Sequence, residues 1–160
     1  RGRKRKQGCM MHARIFAFVI VAFLGLGPVA AQELPLIVQQ NLQTMVKDCG
    51  GKLDVARKSV QSIDLNEDGV PDFVLDAGKL GCEMPSYYCG SAGCTLVIFA
   101  SHNGTHSIVW ENNAHRWKPM KVRGKPGLHF DLHGSACQRV GSAPCSQRYY
   151  FQGSRLVGVK

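Results

Sequence analysis

The sequence predicts a mostly β, α+β fold: an antiparallel sheet or partly closed barrel that carries one N-terminal amphipathic helix and is stapled by disulfides. Three observations lead there. One segment has the period of a helix, seven or eight short β-rich runs punctuated by turn residues follow it, and six cysteines are spread along the same stretch. A helix followed by a run of strands suggests a sheet with the helix laid against it.

The helix is expected over Leu34 to Asp48. Apolar residues recur there at Leu34, Ile37, Val38, Leu42, Met45 and Val46, and Gly50-Gly51 supplies a stop. The strands are expected at Val60 to Ile63, Phe73 to Leu75, Thr95 to Ala100, Ser107 to Glu111, Trp117 to Val122, Leu128 to His133, Arg148 to Gln152 and Leu156 to Val159. Asn103-Gly104 between two of these runs is a strong hairpin signal. Gly124 to Gly127 and Gln152-Gly153-Ser154 read as further turns. No internal repeat and no interdomain linker interrupts the stretch, so residues 32–160 are expected to form a single domain.

Ahead of that domain the composition changes. His12 and Arg14 precede an apolar run from Ile15 to Leu24, Pro28 breaks it, and Val29-Ala30-Ala31 places small residues where a signal peptidase reads. Residues 1–31 are therefore expected to be upstream residues and a cleavable signal peptide, beginning at Met10 or Met11 and cut before Gln32. A membrane span needs about 20 apolar residues, and this run is shorter and is broken by Gly25, Gly27 and Pro28. No stable membrane insertion is expected after cleavage.

Loss of the leader changes the charge. Of 20 basic residues 14 remain against 11 acidic ones, which gives +3 in place of +9. Net charge is an argument about partners only for the mature chain, so the basic pI is not a nucleic-acid signal. The expected location is periplasmic or secreted.

The cysteines agree with export. Cys9 lies outside the mature domain and leaves Cys49, Cys82, Cys89, Cys94, Cys137 and Cys145, an even set that reads as disulfides. Cys89 to Cys94 closes a glycine-rich turn, and Cys137 to Cys145 closes a short loop holding Gly141 and Pro144. Cys49 with Cys82 follows by elimination. No C-x-x-C pair supports a zinc site.

Asp64-Leu-Asn66-Glu-Asp68-Gly69-Val70-Pro71-Asp72 matches the opening of D-x-[DN]-x-[DN]-G calcium loops. The first, third and fifth residues of a tight turn aim hard oxygens at one point, and glycine at the sixth permits the bend. The Val70 carbonyl and Asp72 would follow as ligands. Leu75 stands where a helix-loop-helix hand has its bidentate glutamate. The stretch through Phe73-Val74 resembles the aspartate-rich loop of FG-GAP and VCBS-type extracellular modules. That resemblance, carried by about a dozen of 160 residues, implies a strand-loop-strand calcium motif with a structural ion and carries over no activity.

Two further patterns bear on function. Arg116, Lys118, Lys121, Arg123 and Lys125 form a dense basic stretch near Trp110 and Trp117, suited to an anionic envelope polymer, a lipid headgroup or an acidic protein. On a strand, His129, Asp131 and His133 share one face, where they would make a facial metal triad or the polar side of an edge strand. No sequence motif of a nucleophilic or metalloprotease type is present. The expectation is an exported, non-catalytic binding or envelope-associated module with structural calcium, its partner an unknown envelope component or protein. The alternatives are a small hydrolase or metal-dependent enzyme using His129, Asp131 and His133, and an inhibitor of a secreted hydrolase.

Overall fold

The computed structural model describes residues 33–159 and Gly2. The expected leader, its cleavage site and Cys9 lie outside the described residues. Helix α1 (Leu36–Cys49) begins two residues later than its periodicity suggests. Pro35 is its N-cap, with φ −54° and no N–H to give. The helix stops at Gly50, whose left-handed φ of 69° closes the last turn. Val38, Leu42, Met45, Val46 and Cys49 form its buried stripe. A one-turn helix α2 (Leu53–Ala56), too short for periodicity to reveal, and a 3₁₀ turn then lead into the strands.

Among the described residues nine strands form two antiparallel sheets that do not close into a barrel. In the first sheet β1 (Val60–Ile63), β2 (Asp72–Asp76), β4 (Gly93–His102) and β5 (Thr105–Ala114) lie side by side, and the two-residue β3 (Cys89–Gly90) pairs with the start of β4. The second sheet is a meander of β6 (Arg116–Val122), β7 (Lys125–Leu132), β8 (Cys145–Gln152) and β9 (Arg155–Gly158). Asn103-Gly104 turns β4 into β5 with φ of 48° and 76°, the left-handed pair that a two-residue hairpin needs. Arg123-Gly124 does the same between β6 and β7, with φ of 54° and 76°. The turn expected over Gly124 to Gly127 is thus shorter than read. Because two left-handed residues complete the reversal, Lys125, Pro126 and Gly127 are free to pair in β7.

The central strands are apolar on both faces, which explains their unbroken hydrophobic runs. Phe73, Leu75, Val97 and Phe99 pack against the α1 stripe. Their alternates Val74, Leu96, Ile98 and Ala100 pack against Leu128, Phe130, Leu132 and Phe151 of the second sheet. The result is three layers: helix, first sheet, second sheet. Trp110 of β5 stacks on Phe130 of β7 at 4.0 Å between ring centroids and 7° between planes, a contact worth about 0.5–1.5 kcal/mol beyond its buried area.

Disulfides join Cys49 to Cys82, Cys89 to Cys94 and Cys137 to Cys145, the pairs that loop length and elimination suggest. The first ties the end of α1 to the segment after β2. Tyr88 reinforces that join by donating its hydroxyl to Asp48 at 2.8 Å, and burial together with that carboxylate pushes the Tyr88 phenol up to about 12.

Candidate binding site

The acidic loop joins β1 to β2, the strand-loop-strand placement that its sequence implies. Asp64 accepts the N–H of Asp68 on one oxygen at 3.2 Å and the N–H of Gly69 on the other at 3.0 Å. The Asn66 side-chain oxygen accepts the same Asp68 N–H at 3.0 Å, so the first and third positions hold oxygens on one side of the turn. Glu67 and Gly69 both adopt left-handed backbone, at φ 61° and 84°, which makes the bend. Asp68 takes the Val70 N–H at 2.8 Å, the Ser101 hydroxyl at 2.8 Å and the Asn66 amide at 2.9 Å. The Val70 and Ser101 bonds hold its carboxyl below the usual range.

Asp72 has a different position. It is fully buried at the start of β2, where one oxygen accepts the Leu65 and Asn66 amides at 2.8 and 3.2 Å and the other the Ser101 amide at 2.7 Å. Burial raises its carboxyl above the usual range, and the amide donors offset part of the rise. Asp72 therefore acts as the anchor between the loop and β4. The hard oxygens left at the turn for a cation are those of Asp64, Asn66 and Asp68, with the backbone carbonyl of Val70 next in the chain. Among the described residues no three His, Cys, Asp or Glu side chains gather closely enough to hold a metal on their own, so any ion here depends on the amide and carbonyl oxygens as well. His106, for which the sequence offers no partner, sits within 2.8 Å of the Pro71 carbonyl and packs its ring edge-on to Phe73.

The basic stretch does not act as a unit. Strand alternation sends Arg116 and Lys118 to the outer face of the second sheet, whereas Trp117 turns inward against the sandwich core. Lys121 also leaves that face, to pair with Glu67 of the acidic loop at 2.5 Å. Arg123 is the left-handed residue of the β6–β7 turn. Lys125 lies over the Tyr150 ring, 5.2 Å from its centroid.

What replaces the linear patch is a surface built across four strands. Register places Arg116 opposite Asp131 and Ser146, Lys118 opposite His129 and Arg148, and Met120 opposite Gly127, Tyr150 and Val157. Directly opposed side chains share a face, and Lys125 and Arg155 belong to the same one by alternation. Arg116, Lys118, Lys125, Arg148 and Arg155 are all exposed, and Asp131 is the single acid among them. Arg148 and Arg155 were not singled out from the sequence; only the strand register joins them to Arg116 and Lys118.

Asp131 is already occupied. It bonds His129 Nε2 at 3.0 Å through one oxygen and Arg116 Nε at 3.0 Å through the other. The His129 hydrogen bond first, and the Arg116 charge after it, hold its carboxyl below the usual range. His133 does not join them. It lies past the end of β7, where its Nδ1 meets the Ser135 hydroxyl at 2.8 Å and caps the 3₁₀ turn Gly134–Cys137. Among the described residues the alternative of a facial triad from His129, Asp131 and His133 does not assemble, and the strand ends at Leu132, before its third member.

Beside this face opens a cleft of about 830 Å³. One wall is the loop closed by Cys137 and Cys145; the other is the β6–β7–β8 end with Arg116, Asp131 and Ser146. Arg139, Ser142, His115 and His133 also line it. The loop is held stiffly by main-chain bonds from Gly134 to Gly141 and from Ala143 to Val140, and by Arg139 donating to the Pro144 carbonyl at 3.1 Å. No family model, characterised protein or solved structure matches the chain.

Proposed function

We propose that the protein is an exported, non-catalytic module that binds an anionic envelope component on the outer face of its second sheet. The observation that carries this reading is the imbalance of that face: Arg116 is paired with the one acid, Asp131, and Lys118, Lys125, Arg148 and Arg155 stand against no acid of that face. Surface cations of a globular chain are ordinarily interspersed with acids; a face of one sign attracts and orients an oppositely charged partner. The three disulfides support an oxidising compartment. The acidic loop is proposed as a structural calcium site held by Asp64, Asn66, Asp68 and the Val70 carbonyl, with Asp72 as its anchor. Calcium there would relieve repulsion and steady the β1–β2 connection.

Fluorescence anisotropy with labelled polygalacturonate tests the binding face. Lys118→Glu with Arg148→Glu is expected to weaken binding at least about tenfold, roughly 1.4 kcal/mol. Arg57→Glu with Lys58→Glu changes net charge equally but lies in the 3₁₀ turn before β1, and is expected to bind like the parent. Equal losses in the two double variants would show that net charge alone is read and would sink the proposal.

A further inference from the structure

We infer that the cleft walled by the Cys137–Cys145 loop and the adjoining sheet face together take one ligand, an acidic polysaccharide. One sugar acid would be seated in the cleft and the following residues of the chain laid across the sheet. This rests on the anionic-partner reading above and gives it a chemical class.

Three features of the surface select a sugar over other polyanions. The first is the cleft's lining. It combines cations, Arg116 and Arg139, with the hydroxyls of Ser142 and Ser146, and its volume of about 830 Å³ falls within the range that holds a small ligand. A ring bearing both a carboxylate or phosphate and several hydroxyls matches that mixture in both directions, since a serine hydroxyl can donate to the anion and accept from a sugar hydroxyl, whereas a bare polyanion offers acceptors alone. Asp131 also lines the cleft, but its pairing with Arg116 balances its charge, and its other oxygen meets His129. The Arg116 guanidinium uses only Nε on Asp131, so its two terminal nitrogens remain for an anion.

The second feature is continuity. Arg116, Asp131 and Ser146 belong to the cleft and to the outer sheet face at once, so a ligand leaving the cleft runs directly onto the sheet. The third is the middle of that face. Met120, Tyr150 and Val157 form an apolar row with Gly127, where the Tyr149 carbonyl and Val122 pack too closely to admit a side chain, with Lys118 and Arg148 on one side and Lys125 and Arg155 on the other. The apolar row suits the C–H face of a sugar, and the flanking cations, Lys125 over the Tyr150 ring among them, suit its acidic substituents. Strands lie about 4.8 Å apart, a spacing of the same order as one sugar residue in an extended chain.

Titration calorimetry of the purified protein with galacturonate oligomers of increasing length, polyphosphate and poly-L-glutamate tests the inference. Affinity for the galacturonate series is expected to rise with length and to exceed that for charge-matched polyglutamate and polyphosphate by about tenfold or more. Tyr150→Ala should weaken galacturonate binding several-fold and leave polyphosphate binding within about twofold, and Arg139→Ala should also weaken galacturonate binding several-fold. Ser142→Trp, an exposed position that fills the cleft, serves if the arginine variant does not fold, and should give the same loss. A phosphorylated mannan added as a further arm separates a sugar carboxylate from a sugar phosphate. If polyphosphate or polyglutamate binds as tightly as the oligosaccharides, or if Tyr150→Ala and Ser142→Trp leave galacturonate binding unchanged, the polysaccharide assignment fails while the anionic face stands. If none of the polymers binds, both fail.

Discussion

The acidic loop at Asp64–Asp72 and the basic outer face of the second sheet carry opposite charge, but they differ more deeply in what those charges already touch. In the loop nearly every carboxylate oxygen accepts a hydrogen bond from the loop itself or from β4, and Asp72 is wholly enclosed. On the sheet, Lys118, Arg148 and Arg155 make no ion pair among the described residues, and the acid of that face is shared by Arg116 and His129. Charge that satisfies the backbone sets conformation. Charge left facing solvent sets association. Lys121, on the opposite side of β6 from that face, pairs with Glu67 of the loop.

Removal of Asp72 should break the contrast most forcefully. Asp72→Ala orphans the amides of Leu65, Asn66 and Ser101, at about 1–3 kcal/mol for each one left buried without a partner, and urea unfolding should report a loss of about 3 kcal/mol or more. Asp72→Asn keeps an acceptor and should lose less. An alanine variant as stable as the parent would mean that the loop does not rely on its anchor.

Calcium gives the next largest effect. A cation at a hundred times its dissociation constant stabilises by about 2.7 kcal/mol, so saturating calcium should raise the melting temperature by several degrees. Asp64→Ala with Asp68→Ala should abolish that rise. A wild-type melting curve insensitive to millimolar calcium would leave the loop as a turn held by its own hydrogen bonds.

Acid should act on both regions in a smaller and signed way. The carboxyls of Asp68 and Asp131 are depressed, so each contributes stability that is present above the unfolded carboxylate value near 3.9 and is lost as pH falls through the lower folded value. Asp131→Asn should therefore lose less stability than the parent between about pH 4 and pH 2, measured by thermal melts across that window. Both groups are exposed, so the difference should be modest.

The face should respond least in stability. Lys118→Glu with Arg148→Glu removes no buried contact and should leave unfolding within about 0.5 kcal/mol of the parent, while the proposed function predicts a large effect on ligand binding. That separation of stability from binding is what distinguishes the sheet face from the loop.

The loop was legible in the sequence because its chemistry is local: D-x-N-x-D-G within nine residues places the oxygens, and the glycine marks the bend. Helix α1 and the disulfide pairs were legible for the same reason, in period and in loop length. The role of Asp72 was not. Its partner Ser101 lies 29 residues away, and a buried anchor and an open ligand look alike in a motif. The basic face was half legible. Arg116 and Lys118 stand out in one strand, but alternation alone does not say which side of that strand is covered. Only pairing through β7 and β8 brings Arg148 beside Lys118 and shows that Trp117 and Lys121 point the other way. The same limit leaves the triad of His129, Asp131 and His133 open as an alternative in the sequence, since a period of two cannot show that the strand ends at Leu132.

Backbone amide NMR of the protein titrated with galacturonate oligomers tests the central claim most directly, because it shows where the ligand lies without altering a residue. The account predicts shifts concentrated at Arg116, Lys118, His129, Arg148, Tyr150 and Arg155 and in the Cys137–Cys145 loop, with α1 and the Asp64–Asp72 loop unmoved. Shifts centred on α1 or on the acidic loop, with β6 to β9 silent, would contradict it.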